Sequence, residues 1–362
     1  MKTPYYSYKI GTLAKGCRLC VKGSKLVMFI TGLCPRCCYF CPISDKKYKK
    51  DVVYADEWPT KNINEIIKEA KSIDAEGAGF TGGDPLCKLT RTINYIKNLK
   101  KEFGKKFHIH LYTSLNLVTE RNMQQLYEAG LDEIRIHLDI DNPELRPKIA
   151  LVLSYGWDVG VEIPVIPKKE KQLKNIILFI NSVNHNSQNK IKFLNLNELE
   201  VADNKVNQLT KLGYKTKNNL SYAIKGSEEL AFRLLKFIEK NKIKLNVHYC
   251  TATLKDKVQL ANRIKRRAKN VKKPYDLVTD EGLLFRGAIY STKNLVKIKN
   301  SIIKNYKIKD DLLEIDKKRS RILIEPEFLY KNKEKLKKQN LKLALVEEYP
   351  TWDCLNITTE FL

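Results

Sequence analysis

Between residue 25 and about residue 244, short runs rich in β-branched residues alternate with stretches whose apolar positions recur every three or four residues. This alternation constrains the fold more than any other feature of the chain. Strands are expected at residues 26–31, 77–81, 107–113, 133–139, 158–165 and 190–196, with helices between them at 62–72, 90–103, 120–129, 143–155 and 172–183. Ile63, Ile66, Ile67 and Ala70 share one face of the first helix, and Gly130 and Gly156 stand where the third and fourth should stop. Strand–helix repetition calls for right-handed crossovers and a parallel sheet. The expected fold class is therefore α/β, a partial (βα)6 TIM-type barrel.

After a further strand expected at 242–248, the pattern changes. A basic helix at 255–271 precedes strands at 275–279 and 283–290, with Asp280-Glu-Gly282 as the hairpin turn between them. Helices at 295–304 and 326–338 then alternate with strands at 321–325, 341–346 and 354–359, which predicts a small α+β C-terminal domain. The domains are thus drawn at 1–25, 26–250 and 251–362.

The chain has 362 residues, 43% of them hydrophobic, enough for one large domain and a smaller one. Its first long apolar run, Lys25-Leu-Val-Met-Phe-Ile-Thr31, is too short to span a bilayer. Met1-Lys-Thr-Pro-Tyr-Tyr lacks the basic-then-apolar order of a signal peptide, so a cytoplasmic protein with no membrane partner is expected. Thiols stay reduced in that compartment, and nine cysteines then point to metal ligation rather than to disulfides.

The first expected strand runs into Gly32-Leu-Cys34-Pro-Arg-Cys37-Cys38-Tyr-Phe-Cys41-Pro42. Cys34, Cys38 and Cys41 have the spacing C-x3-C-x2-C. Three thiolates on one short loop can reach three irons of a cubane and leave the fourth open. Structural zinc more often uses two separated C-x2-C pairs. The motif resembles the signature of the radical S-adenosylmethionine (SAM) superfamily, with Phe40 in its aromatic place and Cys37 as an additional cysteine. The core is similar to that of pyruvate formate-lyase activating enzymes. The resemblance covers roughly residues 26–200.

The resemblance implies roles for later residues. Thr81-Gly82-Gly83-Asp84-Pro85 resembles the family's Gly-Gly-Glu-Pro stretch, which meets the SAM amino group. Thr113, Ser114 and Asn116 resemble ribose-binding positions, and Arg135 resembles an arginine near the SAM carboxylate. Glu162 joins them as a cofactor-site candidate. His137, Asp139, Asn195, Asn197 and Glu198 stand at later strand ends, where the active sites of such folds lie, and are the substrate candidates. The implied cofactors are one [4Fe–4S] cluster and SAM, which is cleaved reductively to a 5′-deoxyadenosyl radical that abstracts a substrate hydrogen. Such chemistry implies a low-potential donor, ferredoxin or flavodoxin, and sensitivity to oxygen.

Two features lie outside this pattern. Cys17 and Cys20 form a C-x2-C pair, half of a tetrahedral site, and Cys250, with His248 two residues before it, is its natural completion. A second metal, zinc or iron–sulfur, and a set of reduced structural thiols are both compatible with this spacing. The stretch 255–273 carries nine cations, including Arg263, Arg266 and Arg267, in a chain with formal charge +26. That charge suits RNA phosphates, although a lysine-rich composition or a solvated helix face also accounts for it. The expected substrate is RNA, tRNA first. The alternative is a peptide or protein, activated to a glycyl radical or modified on a side chain.

Overall fold

The computed structural model describes residues 1–362 in two units, one of residues 1–71 and 75–260, the other of residues 72–74 and 261–362. In the first unit, β1 (Tyr8–Ile10) and α1 (Lys15–Lys22) precede β2 (Lys25–Thr31) and a short hairpin, β3 (Tyr54–Ala55) and β4 (Trp58–Pro59). Helices and strands then alternate: α2 (Ile63–Ser72), β5 (Gly77–Gly82), α3 (Leu89–Phe103), β6 (His108–Ser114), α4 (Glu120–Glu128) and β7 (Glu133–His137). The series continues with α5 (Ile149–Leu153), β8 (Asp158–Val165), α6 (Glu170–Asn186), β9 (Ile191–Glu198), α7 (Ser227–Lys240), β10 (Asn246–Cys250) and a single turn, α8 (Ala252–Leu254). A π-helical stretch, Lys255–Leu260, ends the unit.

The strands form one ten-stranded sheet in the order β1-β10-β9-β8-β7-β6-β5-β2-β3-β4. The seven from β10 to β2 run parallel, and β1 and β3 flank them antiparallel. The α/β class of the sequence is met. The sheet does not close, because β1 and β4 remain its two ends.

Alternation within the strands explains both faces. Ile134, Ile136, Val161, Ile163, Leu194 and Leu196 are wholly buried, each contributing about 1.5–3 kcal/mol by leaving water. Their neighbours Arg135, His137, Glu162, Asn195 and Asn197 point to the other face, where they line a cavity. The fourth expected helix is shorter than its periodicity suggested. Pro147 lacks an amide donor, so residues 146–148 form a 3-10 turn and α5 starts only at Ile149.

The first 25 residues are no separate segment: β1 pairs with β10, Tyr8 opposite Tyr249. The boundary expected at residue 250 falls at 260 instead, so the basic stretch is divided between the units. The second unit begins with α9 (Ala261–Val271) and holds an antiparallel sheet of β11 (Leu277–Val278), β12 (Leu284–Tyr290), β13 (Leu313–Asp316), β14 (Arg321–Ile324), β15 (Lys342–Glu348) and β16 (Asn356–Phe361). Helices α10 (Leu295–Tyr306), α11 (Pro326–Lys331) and α12 (Lys333–Lys337) complete it. Ile289, Ile322, Ile324, Leu329, Leu336 and Leu343 share its apolar core. Cys354, expected in a strand, sits in a left-handed turn before β16, with φ +48°.

Candidate active site

β2 and β5 lie side by side, and the loops leaving them are joined backbone to backbone. Gly83 N donates to Thr31 O and Asp84 N to Leu33 O, each at 2.8 Å. A Cβ at Gly83 would stand 2.2 Å from Leu33 O, and one at Gly82, whose φ is +133°, would stand 2.4 Å from Thr31 O. Only glycine allows this approach. The cysteine loop and the Gly-Gly-Asp-Pro turn therefore form one rim of a cavity of about 760 Å³.

Cys34, Cys38 and Cys41 line that cavity, whereas Cys37 is exposed and does not. Burial raises all three lining thiols, Cys34 to about 11. Coordination to iron removes such a proton outright, so thiols that burial keeps neutral are compatible with ligation. The donor set, three thiols on one loop beside a glycine cradle, fits a cubane cluster with one open iron. Arg36, which sequence reasoning passed over, anchors the loop by donating to His137 O at 3.1 Å and to Asp139 Oδ2 at 2.8 Å. Phe40 lines the cavity with its ring centroid 6.0 Å from that of His137.

Asp84 is buried and its carboxylate is already occupied. It accepts from Leu86 N at 3.0 Å, Thr113 Oγ1 at 2.8 and 3.0 Å, and Ser114 N and Oγ, both at 3.1 Å. The expected SAM contacts Asp84, Thr113 and Ser114 are thus brought together by bonding to one another. Asp84 caps the turn at Pro85–Lys88 and ties it to the end of β6. Burial raises its pKa against these donors. Asn116 is exposed and does not line the cavity.

Arg135 is 2% exposed and its donors are also spent: on Glu133 at 2.6 Å, Glu162 at 2.9 Å, Tyr112 Oη at 3.2 Å and Cys17 Sγ at 3.5 Å. The guanidinium expected beside a SAM carboxylate lines the cavity and is the centre of a buried network. Glu162 accepts from Asn195 and Asn197 as well, each at 2.9 Å. Burial pushes its pKa up, but Arg135 and the two amides hold it below the usual range. Glu198 is also committed, accepting from Ala252 N at 2.8 Å and pairing with Lys217. Asp139 faces Arg36 and does not line the cavity. His137 does line it, and its Nε2 is buried without a partner. Burial, with Arg36 beside it, lowers His137 to about 4.

The cavity continues to α1, where Cys17, Cys20, His248 and Cys250 join its lining, together with Lys25, Lys255 and Gln259. Lys25 bonds His110 Nε2 at 3.1 Å. Its inward place follows from the two-residue period shared with Val27 and Phe29, a signal present in the sequence.

The cations proposed for RNA are partly consumed. Lys255 pairs with Glu200. Arg266 donates to the carbonyls of Ile73 and Asp74, both at 2.8 Å, and buried Arg267 bonds Pro350 O and Ser72 Oγ. Arg263 is half-buried, and exposed charge on the stretch comes from Lys257, Lys265, Lys269, Lys272 and Lys273.

Residues 28–180 match the sequence model of the radical SAM superfamily, and residues 282–359 match a domain described only as of unknown function. A Methanocaldococcus jannaschii protein named "putative glycyl-radical enzyme activating enzyme" is 41% identical over 98% of this chain and 94% of its own length. A probable GTP 3′,8-cyclase of Methanococcus aeolicus is 30% identical over 39% of this chain and 46% of its own length. Among solved structures, the radical SAM methyltransferase TsrM of Kitasatospora setae, with tryptophan and a SAM analogue bound, overlays on 56% of this chain and 41% of its own. The identity is 9% and the TM-score 0.37, too low to carry an argument. No helix here is long and apolar enough to cross a membrane.

Proposed function

This chain belongs to the radical SAM superfamily, with [4Fe–4S] and SAM as its cofactors, and on that premise we propose that it acts on a protein, taking hydrogen from a glycine of a partner enzyme. When bound, the cluster and SAM supply a primary carbon radical able to take hydrogen from unactivated carbon. Cys34, Cys38 and Cys41 would hold the cluster. Gly82 and Gly83 let the β5 turn approach the cysteine loop without a side chain between them. Arg36 fixes the loop against the end of β7. Asp84 orients the β5 turn and the end of β6, and Phe40 and His137 wall the space between.

The observation that carries the choice of substrate is the identity of 41% over 98% of the chain with a relative named for glycyl-radical activation. RNA, the first expectation from charge, is weakened by the internal bonding of Lys255, Arg266 and Arg267. It remains the second reading because of the net charge of +26. The test is anaerobic incubation of the reduced, cluster-loaded protein with SAM and a glycyl-radical enzyme from the same source. A protein-borne glycyl radical in the electron paramagnetic resonance spectrum, with cleavage of the partner chain on exposure to air, is expected. Formation of 5′-deoxyadenosine that rises with folded RNA and not with protein would move the assignment to RNA.

A further inference from the structure

Four metal-binding side chains line the cavity and have no role in holding the cysteine loop or the turn after β5. Cys17 and Cys20, three residues apart on α1, share a helix face. Cys250 and His248, two residues apart on β10, share a strand face. The two elements meet here, since Val21 of α1 packs with Cys250 in one apolar cluster.

Their surroundings are not those of inert core thiols. Cys17 Sγ accepts from Asn195 Nδ2 at 3.2 Å and from Arg135 Nη2 at 3.5 Å. Gln259, on the π-helical stretch, approaches Cys250 Sγ at 3.9 Å. N–H groups aimed at sulfur are a feature of iron–sulfur ligation, where they tune the potential. α1 is set tightly against this face, since a Cβ on Gly16 would stand 2.5 Å from His110 Nδ1 and 2.6 Å from Arg135 Nη2.

His248 supplies an independent observation. Its ring is 4% exposed, Nε2 is bonded to Ser7 Oγ at 3.1 Å, and Nδ1 is buried with no partner. A histidine anchored through one nitrogen and free at the other has the form of a metal ligand held by an outer hydrogen bond.

We propose that Cys17, Cys20, Cys250 and His248 hold a second iron–sulfur cluster. No three of these side chains converge on one point as a single zinc ion would require. Cys34, Cys38 and Cys41 do not converge on one point either. A cluster asks less convergence of its ligands than one zinc ion does, because each ligand meets its own iron. The network of Arg135, with Lys255 nearby, places positive charge beside thiolates that would otherwise be buried anions.

The test removes the first cluster. The Cys34→Ala/Cys38→Ala/Cys41→Ala variant, reconstituted anaerobically with iron and sulfide, should retain iron, acid-labile sulfide and the broad charge-transfer absorption of a cluster. Adding Cys17→Ser and Cys20→Ser should abolish all three. His248→Cys in the same background should keep the iron and lower the midpoint potential, because thiolate stabilises oxidised iron more than imidazole does. Equal iron in the three-site and five-site variants would overturn the proposal, as would one zinc without sulfide. Should the first variant lose its circular dichroism, the parent protein decides: about eight irons per chain support two clusters, about four overturn the second.

Discussion

Replacing Asp84 by alanine tests whether this carboxylate belongs first to the fold or to the cofactor. The change strips the acceptor from two buried backbone donors, Leu86 N and Ser114 N, and from two hydroxyls. The hydroxyls can turn elsewhere, and Thr113 already has Ser114 O at 3.2 Å. The amides cannot. At about 1–3 kcal/mol for each stranded buried donor, the loss is about 2–6 kcal/mol. A unit of this size loses roughly 2–4 °C in Tm per kcal/mol, so the expected fall is roughly 5–20 °C. Asp84→Asn keeps one acceptor oxygen and should fall between parent and alanine. Circular dichroism melts of iron-free protein isolate this contribution from cofactor binding. If iron-free Asp84→Ala melts with the parent while its cluster-loaded form loses SAM affinity at least tenfold, the clamp reasoning is refuted.

Cys37→Ala should load iron as the parent does, while Cys38→Ala should not; the reverse result would show that the exposed thiol is the ligand. Gly83→Ala sets a methyl against Leu33 O and should halve iron loading or worse while the far-ultraviolet circular dichroism is kept, measured by iron content and by the spectrum. Burial pushes His108 down to about 4 and His110 well below its usual range, so both fold uncharged. The unfolded chain takes up these protons near pH 6.5, so stability is complete above that pH and is lost as pH falls towards 4. His108 alone accounts for about 3 kcal/mol of that loss at about 1.4 kcal/mol per unit. Equal urea midpoints at pH 7 and pH 5 would contradict this.

The sequence exposed the motifs because their spacing is local. C-x3-C-x2-C and Gly-Gly-Asp-Pro each fit within a dozen residues, and all six strands expected between residues 26 and 196 kept their places within two residues. Arg135 and Asp84 were located by strand period and motif, yet their partners were not legible. Those partners are Cys17, Glu133 and Glu162 for one and Thr113 and Ser114 for the other, and their contacts depend on register across the sheet. β1 and α1 escaped notice for the same reason. Neither is long enough to show a period, and both are positioned by β10 and by the polar face of β6 to β9. The cations of 255–273 looked alike in sequence, while the fold separates buried Arg267 from exposed Lys269.

The connection from β9 to α7, residues 199–226, reaches back to the cysteine loop. Asn204 Nδ2 donates to the carbonyls of Cys41 and Ile43 at 3.1 and 2.9 Å, and Gln208 N donates to Tyr39 O at 2.7 Å. These partners are some 163 residues apart, which turns a spatial contact into a delay during synthesis. At about 5–20 residues per second, the cysteines leave the ribosome roughly 10–30 s before the segment that bonds their loop has been made. During that interval the loop lacks these three hydrogen bonds and is open to whatever delivers iron and sulfide. Once residues 204–208 arrive, these bonds tie the loop to the segment that follows β9. A stall between codons 41 and 204 should therefore prolong the time for which the thiols sit on a loop without these bonds, and alkylation of a stalled nascent chain would read that time directly.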